Sequence, residues 1–258
     1  IPVGRVNFLI ILIYFFTTAS IFPLFALEKV ENVEGQFNSK FNLKEDSINK
    51  LFIKSDIKFL EKNKVNIRSS LINNFSLKIN ENFKLIDYNY NSEGNILDSY
   101  IVLKNNFKSK YFESPIKKFL IPQANLTISL NKNNNNILTL DGLYNLGRTE
   151  NKKFKISYDL SKKIPKYIID FDLAENFILK FINFKTNYKN GSNIKSEINF
   201  SKNNIIFDYI NFTEDKNLIS INDLKLNSKK ELVSVSDIRV KTFNASNENN
   251  NFKISFKK

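Results

Sequence analysis

A hydrolytic triad needs an imidazole to carry a proton, a zinc site needs imidazole or thiolate, and a disulfide or iron-sulfur centre needs sulfur. The 258-residue sequence contains no His, Cys, Met or Trp, so none of these chemistries has side chains to run on. Carboxylates remain, but Asp and Glu are thinly scattered, without the clustered acids and Gly-assisted turn of a calcium loop. The inventory predicts a non-enzymatic protein with no cofactor and no metal. What the chain has in quantity is apolar surface, including 25 Phe and 10 Tyr.

A formal charge of +13 would ordinarily point to nucleic acid or an anionic surface. Here the cations are nearly all Lys, with Arg confined to Arg5, Arg68, Arg148 and Arg239. Readers of phosphates and bases rely on Arg forks, and no basic cluster or reader motif is present, so no nucleic-acid partner is expected. The Lys residues travel with Asn, Ile and Phe, the residue types of A- and T-rich codons, which accounts for the charge without invoking a ligand. The same Asn richness produces N-x-S/T triplets, as at Asn125 and Asn211, by chance alone.

The elements that must carry these residues begin with a membrane segment. From Phe8 to Leu27 no residue is charged, and the run is long enough to cross a hydrocarbon core of about 30 Å as a helix. Residues 1–28 are therefore expected to form a single transmembrane anchor. Arg5 precedes the run, which places the N-terminus in the cytoplasm and the rest of the chain outside it. A cleaved signal peptide and an interfacial helix are the competing readings; the position two residues before Ala26 is Leu24, which a small-x-small cleavage site disfavours.

After Glu28 the apolar period changes to two, the spacing of a strand with one greasy face. Phe37, Ser39, Phe41 and Leu43 share a face, as do Leu51, Ile53, Ile57 and Phe59. Val65, Ile67, Leu71, Phe75, Leu77 and Ile79 hold one phase across Ser69 and Asn73. Further strands are expected at Leu126 to Leu130, Phe154 to Leu160, Tyr167 to Leu173, Ile194 to Phe200, and through Ile206, Ile210 and Phe212. Asn- and Gly-containing clusters at 92–95, 131–136, 145–148 and 187–193 are expected to be the connections, because these residues tolerate the positive φ of tight turns. A short helix is expected near 114–120, with Ser114 as its cap, Pro115 in its first turn and Pro122 stopping it. The chain starts at Ile1 without any Met, and Phe252, Ile254 and Phe256 still alternate at its end, so it reads as a piece of a longer polypeptide.

The anchor, the cysteine-free meander, and the recurring element of a strand, a Gly and a second alternating strand, as in VEGQFNSKFNL at Val33 to Leu43 and LDGLYNLG at Leu140 to Gly147, resemble the AsmA-like envelope proteins of the TamB and YhdP type. That resemblance implies an all-β, elongated antiparallel meander over 29–258 that curls into an open, taco-like groove. It implies anchorage in the inner membrane, a β region in the periplasm, and passage of phospholipid acyl chains along the groove. Ile156, Tyr158, Phe171, Phe181 and Ile198 are the residues expected to line it. The alternative is an envelope scaffold that binds other envelope proteins by strand addition at an open sheet edge; an outer-membrane barrel is a third, weaker fit.

Overall fold

The computed structural model describes residues 32–44, 63–80, 85–107, 110–133, 136–147, 150–159, 161, 166–187, 189, 191–201, 204–243 and 249–256. The expected anchor, and the strand around Leu51 to Phe59, lie outside these residues. Among the described residues no helix is long and apolar enough to cross a membrane.

The described chain is almost all β. Its strands are β1 (Asn32–Lys44), β2 (Lys64–Ile79), β3 (Leu85–Phe107), β4 (Ile116–Asn131), β5 (Ile137–Asn145), β6 (Lys152–Asp159), β7 (Lys166–Asp172), β8 (Ile178–Leu179), β9 (Phe184–Lys185), β10 (Asn193–Phe200), β11 (Asn204–Glu214), β12 (Asn217–Asn227), β13 (Leu232–Ser234), β14 (Asp237–Phe243) and β15 (Asn249–Ser255). All but β8 and β9 belong to one 13-stranded sheet, ordered β1-β2-β3-β4-β5-β6-β7-β10-β11-β12-β14-β15 with β13 beside β12. Every pairing in it is antiparallel. The sheet does not close: β1 and β15 are its edges.

Space follows sequence almost everywhere, as hairpin connections dictate. The connections predicted at 131–136 and 145–148 fall between β4 and β5 and between β5 and β6. The first has Asn136 Oδ1 accepting from the Asn131 amide at 2.8 Å, and the second has Gly147 at φ +80. The segment 187–193 leads back into β10, with Gly191 also at φ +80.

Two expectations are corrected. No helix forms at 114–120; residues from Ile116 onward belong to β4, and a 3-10 turn lies instead at Lys180–Ile182. Pro122 interrupts a strand rather than ends a helix, and at its level β4 slips against β5 between Leu120 and Gln123. No turn forms at 92–95 either, because β3 runs straight through. Gly94 is there for close approach: a Cβ on it would sit 2.0 Å from the Ser70 carbonyl oxygen and 2.9 Å from the Leu71 Cα.

Among the described residues, the chain makes its long excursion from the sheet between β7 and β10. Residues 173–187 carry Leu173, Leu179 and Phe184 onto Phe212, Ile219 and Val240 of the sheet, with Phe177 and Ile182 packed alongside. This excursion is tied to the β3–β4 connection: Phe112 bridges Phe177, the Ile178 amide donates to the Tyr111 carbonyl at 2.8 Å, and Lys185 pairs with Glu113 at 2.8 Å. The two connections form a clasp over the end of the sheet where β7 finishes and β10 begins.

Candidate apolar binding face

Residues directly opposite each other in an antiparallel sheet point to the same side, so the register assigns each side chain to a face. Starting from Ile156 in β6, the cross-strand neighbours are Leu140, Leu126, Gly94 and Leu71 in one direction. In the other direction they are Ile169, Ser196, Ile210, Ile221, Ile238 and Ile254. A single row, aliphatic except for Gly94 and Ser196, thus crosses from β2 to β15. At about 4.8 Å per strand it runs for on the order of 50 Å.

A parallel row lies nearer the clasp: Ile96, Ala124, Gly142, Phe154, Phe171, Ile194, Phe212, Ile219 and Val240 in successive strands. Here the aromatics condense. Phe154 stacks on Phe171 with ring centroids 5.6 Å apart, and Phe119 stacks on Tyr144 at 4.8 Å. The Tyr144 hydroxyl donates to the Asp172 carbonyl at 2.8 Å, and burial pushes its pKa up to about 12.

On the far side from the clasp, Leu138, Tyr158, Tyr167, Ile198, Phe207 and Leu224 form a third row. Tyr158 and Tyr167 stack at 4.2 Å, and Phe200 meets Tyr167 edge-on at 5.4 Å while remaining exposed.

The structure therefore brings four of the predicted lining residues onto one face. Ile156, Tyr158, Phe171 and Ile198 all sit there, half-buried. Phe181 does not join them: it is in the 3-10 turn of the excursion and is 77% exposed. Phe177, Leu179 and Phe181 keep a strand-like alternation after the chain has left the sheet. Ile206 is also moved. It opposes Asn199, not an apolar neighbour, because β11 slips by one residue against β10 at Glu197/Ile198, and the greasy side passes to Phe207 and Ile205. The sequence reading missed β12 and β14, whose Ile219, Ile221, Ile238 and Val240 extend the face; in β12 the alternation is broken at Asp223, which adopts φ 51.

The opposite face is mainly polar, with Ile72, Leu97 and Ile168 exposed among its polar side chains. Its central row reads Lys40, Ser70, Asn95, Asn125, Asp141 and Lys155, then Asp170, Lys195, Asn211, Ser220, Arg239 and Lys253. Lys195 pairs with Asp170 at 3.0 Å. Next to this row Lys166 bridges Glu197 and Asp208, the latter at 2.8 Å. Hydrogen bonds to Asp208 and Glu197 raise the Lys166 pKa against partial burial, and although burial alone would raise Asp208, its bond from Lys166 leaves it below its ordinary value. Among the described residues no group of three or more acidic side chains is placed to hold a metal ion.

No family model, curated protein or solved structure matches the chain.

Proposed function

We propose that the apolar face binds long hydrocarbon chains, and that the protein is a lipid-carrying element of a cell envelope. The carrying observation is the mainly aliphatic register row around Ile156: its members Ile156, Ile169, Ile210 and Ile221 are only half-buried, while the small β8–β9 sheet packs on the neighbouring row at Phe212, Ile219 and Val240, with Ile238 beside it. An apolar strip of this length costs free energy when wet and is stabilised by about 0.8 kcal/mol for each methylene laid on it. Acyl chains would lie across the strands, exchanging one Leu or Ile contact for the next, so movement along the row would cost little. Gly94 and Gly142, each packed against a neighbouring strand's backbone, suit a sheet that curls into the taco-like groove of the envelope proteins it resembles. With the charge-free run at Phe8 to Leu27, this reading puts an anchor in the inner membrane and the groove in the periplasm, serving phospholipid passage towards the outer membrane.

The test is extraction of lipid from the purified whole chain followed by mass spectrometry, for the native sequence and for Ile156→Asp and Ile198→Asp. Retained β-sheet circular dichroism with loss of bound phospholipid is expected. Absence of lipid from the native chain, or loss of lipid only together with the fold, would overturn the reading.

A second reading rests on β15, an edge strand with Phe252 and Ile254 exposed. Such an edge accepts a partner strand, as an envelope scaffold would require. Protein crosslinks from Lys253 in the absence of bound lipid would favour it.

A further inference from the structure

We propose that the polar face of β10 to β15 holds a phosphorylated, hydroxyl-rich molecule at Arg239 and Lys253. A cavity of about 660 Å³ opens on that face, on the side of the sheet away from the aliphatic row, and its size is that of a small-ligand site. The proposal is independent of the hydrocarbon reading.

The charges in the central polar row change character along its length. From β5 to β10 they alternate, Asp141, Lys155, Asp170 and Lys195, and neutralise one another, as the Asp170–Lys195 pair at 3.0 Å shows. At the β14–β15 end Arg239 stands directly opposite Lys253, and among the described residues neither makes an ion pair. Like charges directly opposite in a sheet are destabilising, and an oxyanion between them removes the penalty. A guanidinium fork beside an ammonium matches a phosphate group in geometry as well as charge.

Besides Lys195, Asp237 and Leu218, the rest of the lining supplies neutral hydrogen-bonding groups. Ser220, the cross-strand neighbour of Arg239, donates to Asn211 Oδ1 at 2.7 Å. That bond leaves the Asn211 amide hydrogens and the Ser220 lone pairs to meet ligand hydroxyls. Asp237, the acid nearest Arg239 along β14, is held by the Asn222 amide through both its oxygens at 3.2 Å.

Calorimetric titration of the whole chain with glucose 6-phosphate, and with glucose as its uncharged counterpart, tests the site. Sedimentation with phosphatidylcholine vesicles containing phosphatidylinositol 4-phosphate forms the second arm. The double variant Arg239→Gln, Lys253→Gln loses a repulsion and is expected to melt no lower than the native chain; Lys253→Gln alone, on the exposed edge strand, serves if the double variant fails to fold. Binding of glucose 6-phosphate but not glucose, weakened at least about tenfold in the variant, supports the site with a free ligand. Vesicle binding that the variant loses, without binding of free glucose 6-phosphate, supports it with a lipid headgroup. No binding of either probe, or equal binding by native and variant chains, overturns it.

Discussion

Asp98 of β3 stands opposite Pro122 of β4, between the register pairs Leu97–Gln123 and Ser99–Ile121. At this level both strands change phase: Ile96 and Ala124 are buried on one side of the kink and Ser99 is buried on the other, while Leu97 between them is exposed. Asp98 is at φ 46, in the left-handed region that costs a non-glycine residue about 1–2 kcal/mol. Ser99 Oγ takes the Arg68 amide proton at 3.0 Å, satisfying a donor that the slip in register would otherwise strand. Asp98→Gly is therefore expected to leave stability unchanged or raise it by about 0.5–1 kcal/mol, and Asp98→Val to lower it by more than that. Urea denaturation of the two variants checks the ordering.

The glycines divide into two kinds with different sensitivities. At Gly142 an added Cβ would meet the Gln123 carbonyl oxygen at 2.3 Å, which only a shift of backbone can relieve. Gly142→Ala should cost about 1–3 kcal/mol through overpacking. Gly191 has nothing within 4 Å, so Gly191→Ala pays only the backbone penalty of φ +80, about 1–2 kcal/mol, while Gly191→Asn should be close to neutral. Melting temperatures of the three variants separate the causes.

Much of the polar and apolar division was legible because period-two alternation marks a face without knowledge of the partner strand. Ile156, Tyr158, Phe171 and Ile198, named from the alternating apolar stripe together with the family resemblance, share one side. Phase slips were not legible. Nothing local announces that Asp208 and Asp223 shift the greasy side from Ile206 to Phe207, since a slip is defined by two strands together. The Gly94 cluster looked like a turn because Ser, Asn and Gly favour turns, yet the same Gly also serves where two backbones crowd. Departure of the chain from the sheet after Asp172 was hidden for the opposite reason: Phe177, Leu179 and Phe181 keep the strand period where only a short side hairpin uses it.

Tyr144 predicts an alkaline limit to stability. Its pKa is raised by burial to about 12, so between about pH 10 and 12 the unfolded chain releases a proton that the folded chain retains. Unfolding is then favoured as pH rises through that window, and the contribution is fully present below it. Tyr144→Phe should flatten the slope of stability against pH above 10 while lowering stability at neutral pH by about 1 kcal/mol through the lost bond to Asp172.

The clasp should depend on its rings and little on its charges. Lys185 and Glu113 are both about half exposed, so Lys185→Ala is expected to cost under about 1 kcal/mol. Phe177 touches Phe112 at 6.1 Å and Phe212 at 6.2 Å between ring centroids, and Phe177→Ala should cost about 3 kcal/mol and open residues 173–187 to limited proteolysis. Phe181→Ala, at an exposed position, should change neither stability nor cleavage.

Because nearly every strand of the main path pairs with the one before it in sequence, with the wide steps falling between β1 and β2 and between β7 and β10, the sheet can be assembled by zippering. Loop closure is short at nearly every stage, which is the condition for fast folding in a β protein. A chain delivered slowly from its N-terminal side could add strands one at a time onto a growing edge, with no need for distant segments to find each other. The same logic makes hairpins exchangeable units: duplicating or deleting a neighbouring pair would lengthen or shorten the sheet while leaving the facing pattern of the remaining strands intact.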